Sequence, residues 1–264
     1  MATHLKLELP NVTFIMQETR AHSLALLATQ ECVKAINFAE VLIFTDRPLE
    51  FSSLTHICNP RIITVPDWPD KLGWCRHIWF GVPRHVRTSH MLLQQWDAGV
   101  WDTSCWNKEF LNYDYIGAIW PFHDNKKVGN SGFCLKSTRL ARYLYSHRDK
   151  YPCDSILEDD LLCRKYRPRL EDVGFVWAPE DVARRFAFEC EEPNLINKHF
   201  GWHGCFNFPI VLDYESLRER VELMAASPDL CQSQMMKWLR EKHPNVIDKI
   251  LDQNNSGIKL QAAE

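Results

Sequence analysis

At 264 residues the chain exceeds an average domain but stays within the range of one α/β domain, and with 45% hydrophobic and 25% charged residues it can bury a sizeable core. Its 31 basic and 34 acidic residues give a net charge of −3 with no long basic run, which disfavours a dedicated nucleic-acid module, because neutralising phosphates takes a concentrated Lys/Arg surface. Ten cysteines without a Cys-x-x-Cys pair exclude a zinc ribbon and a thioredoxin-like motif and predict reduced thiols in a cytoplasmic protein. Met1–Lys6 lacks the apolar stretch of a signal peptide, and no apolar run reaches the ~18 residues of a membrane span. In that setting the Asn11-Val12-Thr13 sequon is accidental.

Val12–Met16, β-branched and apolar, predicts a central strand. Apolar positions at Leu24, Leu26, Leu27, Cys32, Val33 and Ile36 then follow helical spacing, and Val41–Asp46 is a second buried strand ending in an acid. Strand, helix, strand with short connections is a βαβ unit, which implies a parallel sheet. Arg61–Pro66 repeats the theme as a shorter strand. Asp70–Arg84, rich in aromatics and cations, predicts a helix with Trp74 and Ile78 packed inward; Lys71 or Arg76 could alternatively face a phosphate at the sheet edge.

His90–Asp97 reads as a buried strand that delivers a carboxylate to its C-terminal edge, where ligands of open α/β sheets bind. Tyr113–Trp120 is another strand, and Gly129-Asn130-Ser131-Gly132-Phe133-Cys134-Leu135 a tight turn into a third. Ser137–Lys150 has a helical pattern whose basic residues suit a solvated face. Leu157–Arg164 opens a new helix whose acids, Glu158, Asp159 and Asp160, sit where a helix dipole favours them, so charge compensation alone would explain them. Phe175–Pro179 is expected to be the last strand, and Ala183–Glu189 a helix or edge segment. His199–Gly204 sets two histidines among aromatics and glycines. Beyond Pro209 the chain turns helical and charged, which divides it into a domain over residues 10–208 and a C-terminal helical extension, 209–264, packed on that domain.

Asp97, the Gly129–Phe133 turn, Glu158-Asp159-Asp160 and His203 could meet at one sheet edge. A hard divalent cation, Mg²⁺ or Mn²⁺, accepts a carboxylate and, for Mn²⁺, an imidazole, while phosphates fill the remaining positions. A glycine turn allows close backbone approach to a ligand. A second carboxylate could deprotonate an acceptor hydroxyl. Together these fit metal-assisted transfer from a diphosphate leaving group. Taken alone, His203 reads first as a satisfied structural histidine.

The series Gln95-Trp96-Asp97-Ala98-Gly99, Asp114-Tyr115-Ile116-Gly117-Ala118-Ile119-Trp120-Pro121, Val128–Ser137, Glu158-Asp159 and Phe200-Gly201-Trp202-His203-Gly204 resembles a family of GT-A-type glycosyltransferases catalogued as a domain of unknown function. The resemblance spans roughly residues 10 to 208. It implies a Rossmann-like nucleotide-diphospho-sugar transferase fold, α/β with a mixed, mostly parallel central sheet flanked by helices. It places Asp97 where the last acid of an Asp-x-Asp motif binds the metal and Gln95 where the first touches the ribose. His203, with Gly204 beside it, matches a histidine that completes the metal or diphosphate site. Gly129, Asn130, Ser131 and Gly132 match a loop near donor sugar and acceptor, and Glu158-Asp159 the acidic pair that supplies the catalytic base of inverting members, with Asp159 favoured. Gln17, Glu18 and Thr19 would lie under the base or ribose, Asp46 could accept a base N–H or ribose hydroxyl, and Arg76 could meet a phosphate. Ser131 stands where the family usually has Gly, Ala98 interrupts an Asp-Gly pair, and Ile119 replaces a common Pro; the first could narrow the acceptor pocket.

The expected activity is transfer of a sugar from a nucleotide sugar to a hydroxyl of a glycan, a small molecule or modified DNA, assisted by Mn²⁺ or Mg²⁺. A sugar-phosphate nucleotidyltransferase is the alternative enzyme, disfavoured by the lack of a Gly-rich, Arg/Lys-containing triphosphate loop near the first strand. A non-catalytic carbohydrate- or nucleic-acid-binding protein on the same scaffold is the third reading.

Overall fold

The computed structural model describes residues 5–261, apart from His123, Ile156, Glu192, Asn194, Leu195, Asn197 and Lys198, and side chains as far as Gln253. The chain falls into two compact units, Met1–His203 and Gly204–Glu264.

The first unit is built on six strands: β1 (Leu7–Gln17), β2 (Ile36–Thr45), β3 (Arg61–Thr64), β4 (His90–Gln94), β6 (Tyr115–Ile116) and β7 (Phe133–Ser137), in the order β3-β2-β1-β4-β7-β6. Pairs β3/β2, β2/β1 and β1/β4 are parallel; β7 runs against both β4 and β6. The sheet is thus mixed and mostly parallel, with helices around it, as expected. Val12–Gln17 and all of β4 are buried because these strands have neighbours on both edges and covered faces, the environment that selects continuous apolar runs. Helix α1 (His22–Ala35) joins β1 to β2 and buries Leu24, Ala25, Ala28, Cys32 and Val33. Gln94, buried in β4, donates to Ala28 O across 3.0 Å.

A core of Phe44, Trp79, Leu93, Tyr115, Cys134, Leu140, Tyr151, Leu162 and Tyr166 joins the sheet to α2 (Lys71–Arg76), α3 (Thr138–Ser146), α4 (Glu158–Asp160) and α5 (Arg167–Glu171). The helix expected over Asp70–Arg84 breaks into α2, a π turn at His77–Gly81 and a short turn at Val82–Arg84, where Pro83 has no N–H to continue a ladder. The strand expected at Phe175–Pro179 pairs with β6 only through a bridge between Trp177 and Tyr115. There the Val176 N–H is taken by the Asp114 carboxylate at 2.9 Å instead of a ladder carbonyl. Helix α6 (Glu180–Phe186) leads into a second, small sheet, β5 (Ala98–Val100), β8 (Ala187–Phe188) and β9 (Gly201–His203), in the order β5-β9-β8.

The second unit comprises α7 (Phe208–Val211), α8 (Tyr214–Ala226), α9 (Gln234–Lys242) and α10 (Pro244–Gln261), with Asp213 and Ser233 capping α8 and α9. It buries Leu217, Val221, Met224, Met236, Leu239, Ile247 and Ile250. No disulfide joins the cysteines of the described residues, and none of the described helices is long and apolar enough to cross a membrane.

Candidate active site

The small sheet is a device for lining up three ionisable residues. In its middle strand, His203 pairs with Ala98 of β5 in antiparallel register, so the preceding Asp97 lies beside the imidazole. On the other side Phe188 of β8 pairs with Trp202, so the following Glu189 flanks the ring's opposite edge. Asp97 Oδ1 is 3.5 Å from Nε2, and Glu189 Oε1 is 2.8 Å from Nδ1. Burial disfavours charge on His203, but Asp97 and Glu189 outweigh it and hold the imidazole pKa well above its ordinary value. Burial likewise pushes the Glu189 carboxyl up, and His203 and the Asn130 amide reverse that, leaving it below the usual carboxylate range.

The turn after Val128 links this row to the main sheet. Asn130 has a left-handed φ of 66°, which Asn tolerates because its short amide bonds locally: Oδ1 accepts the Gly132 N–H at 2.8 Å. Tyr115 of β6 donates to Asn130 O at 2.7 Å, and Gln95 N donates to Gly132 O at 2.8 Å, tying the turn to both neighbouring strands. A Cβ on Gly132 would lie 1.9 Å from His203 Nε2, so the residue type is dictated by the imidazole packed against it.

On the turn's other flank Ser131 Oγ donates to Glu158 Oε1 at 2.5 Å, and Cys75 Sγ donates to Glu158 Oε2 at 3.3 Å. Glu158 is 3% exposed, its two oxygens engaged by these donors. Its neighbour Asp159 accepts the Ser131 N–H; burial and then the charge of Glu158 push its carboxyl up to about 6. A carboxylate poised there suits proton transfer near neutrality. The Ser131 hydroxyl is directed at Glu158 and not at Asp159. The expected convergence of Asp97, the glycine turn, the acidic pair and His203 is thus present within the first unit.

The residues expected at the nucleotide end are placed less directly. Gln17 closes β1 with Nε2 donating to Trp74 O at 3.0 Å and Oε1 2.7 Å from His77 Nδ1. It clamps β1 to α2. Burial, then the charge of His85, lowers His77 to about 4, so the ring is neutral there. Thr19 is buried, and the Glu18 carboxylate accepts the N–H groups of Thr19, Arg20 and Ala21. Asp46 bonds His22 Nε2 at 2.7 Å, and the exposed Arg76 donates to Cys153 O at 3.0 Å. Gln95 is half-buried two residues before Asp97, while Gly204, at φ 92°, opens the second unit.

Among the described residues no group of three or more His, Cys, Asp or Glu is placed to hold a metal ion unaided. Asp97 and His203 are the pair that could hold an ion if its other ligands came from a substrate. Asp97 Oδ1 is shielded from solvent, and among the described residues it has no hydrogen bond of ordinary length. It lies 3.5 Å from Nε2, so the two atoms could share one ion. An ion at Nε2 would displace the proton held there.

Glu189 is the residue sequence reasoning missed. Its only local signal is an acid following the apolar Ala187-Phe188 pair, on a segment expected to be a helix or edge.

No curated protein matches the chain. Among solved structures, it is similar to a glycosyltransferase involved in the glycosylation of the major capsid of PBCV-1, at 12% identity and a TM-score of 0.46, covering 74% of this chain and 92% of that one. Residues 82–203, which hold Asp97, the glycine turn, the acidic pair, Glu189 and His203, match the family model described as "Protein of unknown function (DUF5672)".

Proposed function

We propose that the protein is a glycosyltransferase of GT-A type that moves a sugar from a nucleotide-diphospho-sugar to an acceptor hydroxyl with Mn²⁺ or Mg²⁺. The observation that carries this reading is that one turn, Gly129–Phe133, joins the Asp97–His203 pair on one flank to a carboxyl near pKa 6, Asp159, on the other. Asp97 and His203 would hold the ion, which neutralises charge on the departing diphosphate. Asp159 takes the proton of the acceptor hydroxyl as its oxygen bonds to the anomeric carbon. The bond from that carbon to the diphosphate oxygen breaks, and nucleoside diphosphate leaves. A single direct displacement of this kind inverts the anomeric centre. Ser131 and Glu158 fix the backbone that presents Asp159, and Gly132 keeps the turn against His203.

A glycan or small molecule suits the acceptor better than DNA. Arg139, Arg164 and Arg167 are engaged by Asp114, Asp124 and Glu171, Lys165 lies 3.8 Å from Asp154, and Arg142 donates to Val86 O, so these cations are committed locally.

The test is a thermal-shift screen of nucleotide sugars with Mn²⁺, followed by assay of nucleoside diphosphate release. Stabilisation by a nucleotide sugar and release of its nucleoside diphosphate are expected. Pyrophosphate release from a nucleoside triphosphate and a sugar phosphate would instead establish nucleotidyl transfer, and no binding of either donor would leave a non-catalytic scaffold.

A further inference from the structure

We infer that Glu189 is a positioning residue for His203: it holds the Nδ1–H and so turns Nε2 toward Asp97. The inference rests on the metal-assisted reading only for its consequence; the contacts stand by themselves. Glu189 follows the two-residue strand Ala187–Phe188, whose parallel pairing with Gly201 and Trp202 brings its carboxylate level with the imidazole. Oε1 lies 2.8 Å from Nδ1.

Two groups meet that nitrogen, and the carboxylate is the one that asks for a proton on it. The Asn130 Oδ1 is committed to the Gly132 N–H, at 2.8 Å, so its NH₂ end faces the ring and lies 2.8 Å from the same Nδ1. An amide NH₂ only donates and an ionised carboxylate only accepts, so the Asn130 N–H and the imidazole N–H both go to Glu189, which Asn130 also bonds. Nδ1–H therefore points to Glu189, and Nε2 is the atom 3.5 Å from Asp97 Oδ1. Gly132 packs against the Nε2 edge, with an added Cβ only 2.1 Å from Cδ2 and 2.6 Å from Cε1, which keeps the ring in this orientation. Metal-binding histidines commonly give their other N–H to a carboxylate in this way, which fixes the tautomer and raises the basicity of the ligating nitrogen; losing such a partner costs about 10–100-fold in metal affinity. A Glu189 that merely filled space would leave that affinity alone.

The experiment measures Mn²⁺ binding to the full-length protein by the loss of the aqueous Mn²⁺ signal in electron paramagnetic resonance, for wild type, Asp97→Ala and Glu189→Gln. Glu189→Gln preserves the shape of the side chain and is expected to weaken binding about ten-fold or more, with unchanged circular dichroism. Binding within two-fold of wild type, in a protein where Asp97→Ala loses it, overturns the inference and leaves the metal reading intact. If wild type itself has no Mn²⁺ site sensitive to Asp97→Ala, the metal reading fails, and ¹⁵N shifts of the His203 ring decide the placement of Glu189. They are recorded at a pH high enough to leave one ring proton. The Nδ1–H form in wild type upholds the inference; the Nε2–H form there overturns it, whether or not the variant folds.

Discussion

The two acidic groups flanking the Gly129–Phe133 turn differ in what faces them. Asp97 and Glu189 enclose an imidazole, so two carboxylates share one resident cation. Glu158 and Asp159 are met by a hydroxyl, a thiol and backbone N–H groups, and Lys71 lowers Asp159 less than burial and Glu158 raise it. In a buried setting that difference decides which group keeps a proton. The row around His203 stores it on the ring and keeps Glu189 ionised, whereas the helix-end pair has too little compensating charge for both carboxylates, and Asp159 rises to about 6. A row with settled charges and an excess of carboxylate suits holding a cation. A carboxyl near 6 suits exchanging a proton.

The largest expected effect breaks the first group. Asp97→Ala removes the carboxylate on the Nε2 side of His203, and Mn²⁺-dependent release of nucleoside diphosphate is expected to fall by about 10³-fold or more, the several kcal/mol that a Lewis acid contributes at a leaving phosphate. Activity that survives in Mn²⁺ at wild-type level would detach the row from the chemistry. Asp159→Asn breaks the second group while keeping its shape. Transfer is expected to drop about a hundred- to a thousand-fold, within the range that positioned proton acceptors supply, with the donor's dissociation constant little changed. A parallel loss of donor binding would mean that Asp159 serves the donor and not the acceptor.

A smaller change sharpens the contrast. A base works only when ionised, so kcat/KM should fall as pH drops through about 6, the value to which burial and Glu158 push Asp159. In Glu158→Gln the like charge is gone while an oxygen still accepts from Ser131, and Asp159 ionises more readily. The acidic limb of the profile should therefore move to lower pH, leaving the desolvation part of the shift behind. A limb that stays in place would assign it to another group.

The elements that read clearly in the sequence are those whose burial is local. Val12–Met16, Val41–Thr45 and His90–Leu93 are apolar runs because the strands have covered faces, and Asp97 is visible as the acid that ends such a run. Glu189 was hidden because its meaning depends on the register of strands two and three residues long, set by a partner fourteen positions away; no periodicity survives at that length. Gln17 shows the converse limit. An amide at the end of a central strand suggests a ligand contact, yet both its ends are engaged by Trp74 and His77, some sixty positions later. Phe175–Pro179 has the composition of a strand, but the side chain of Asp114 replaces its ladder.

Asp114 also supplies the smallest and most discriminating test, because it is a third buried carboxylate with compensated charge and no place at the turn. It accepts from Ser137 Oγ at 2.5 Å, from Arg139, and from Val176 N at 2.9 Å, joining β6, β7 and the segment after Gly174. If compensated charge alone made the row around His203 functional, Asp114 would be functional too. Asp114→Asn turns one acceptor into a donor facing donors, which should cost about 1–3 kcal/mol, the range for leaving a buried polar group unsatisfied, read as a lower urea midpoint at constant m-value. Mn²⁺ affinity should stay within two-fold of wild type. A variant that loses Mn²⁺ binding while remaining as stable as wild type would show that charge balance across the sheet, rather than convergence on one turn, governs the site.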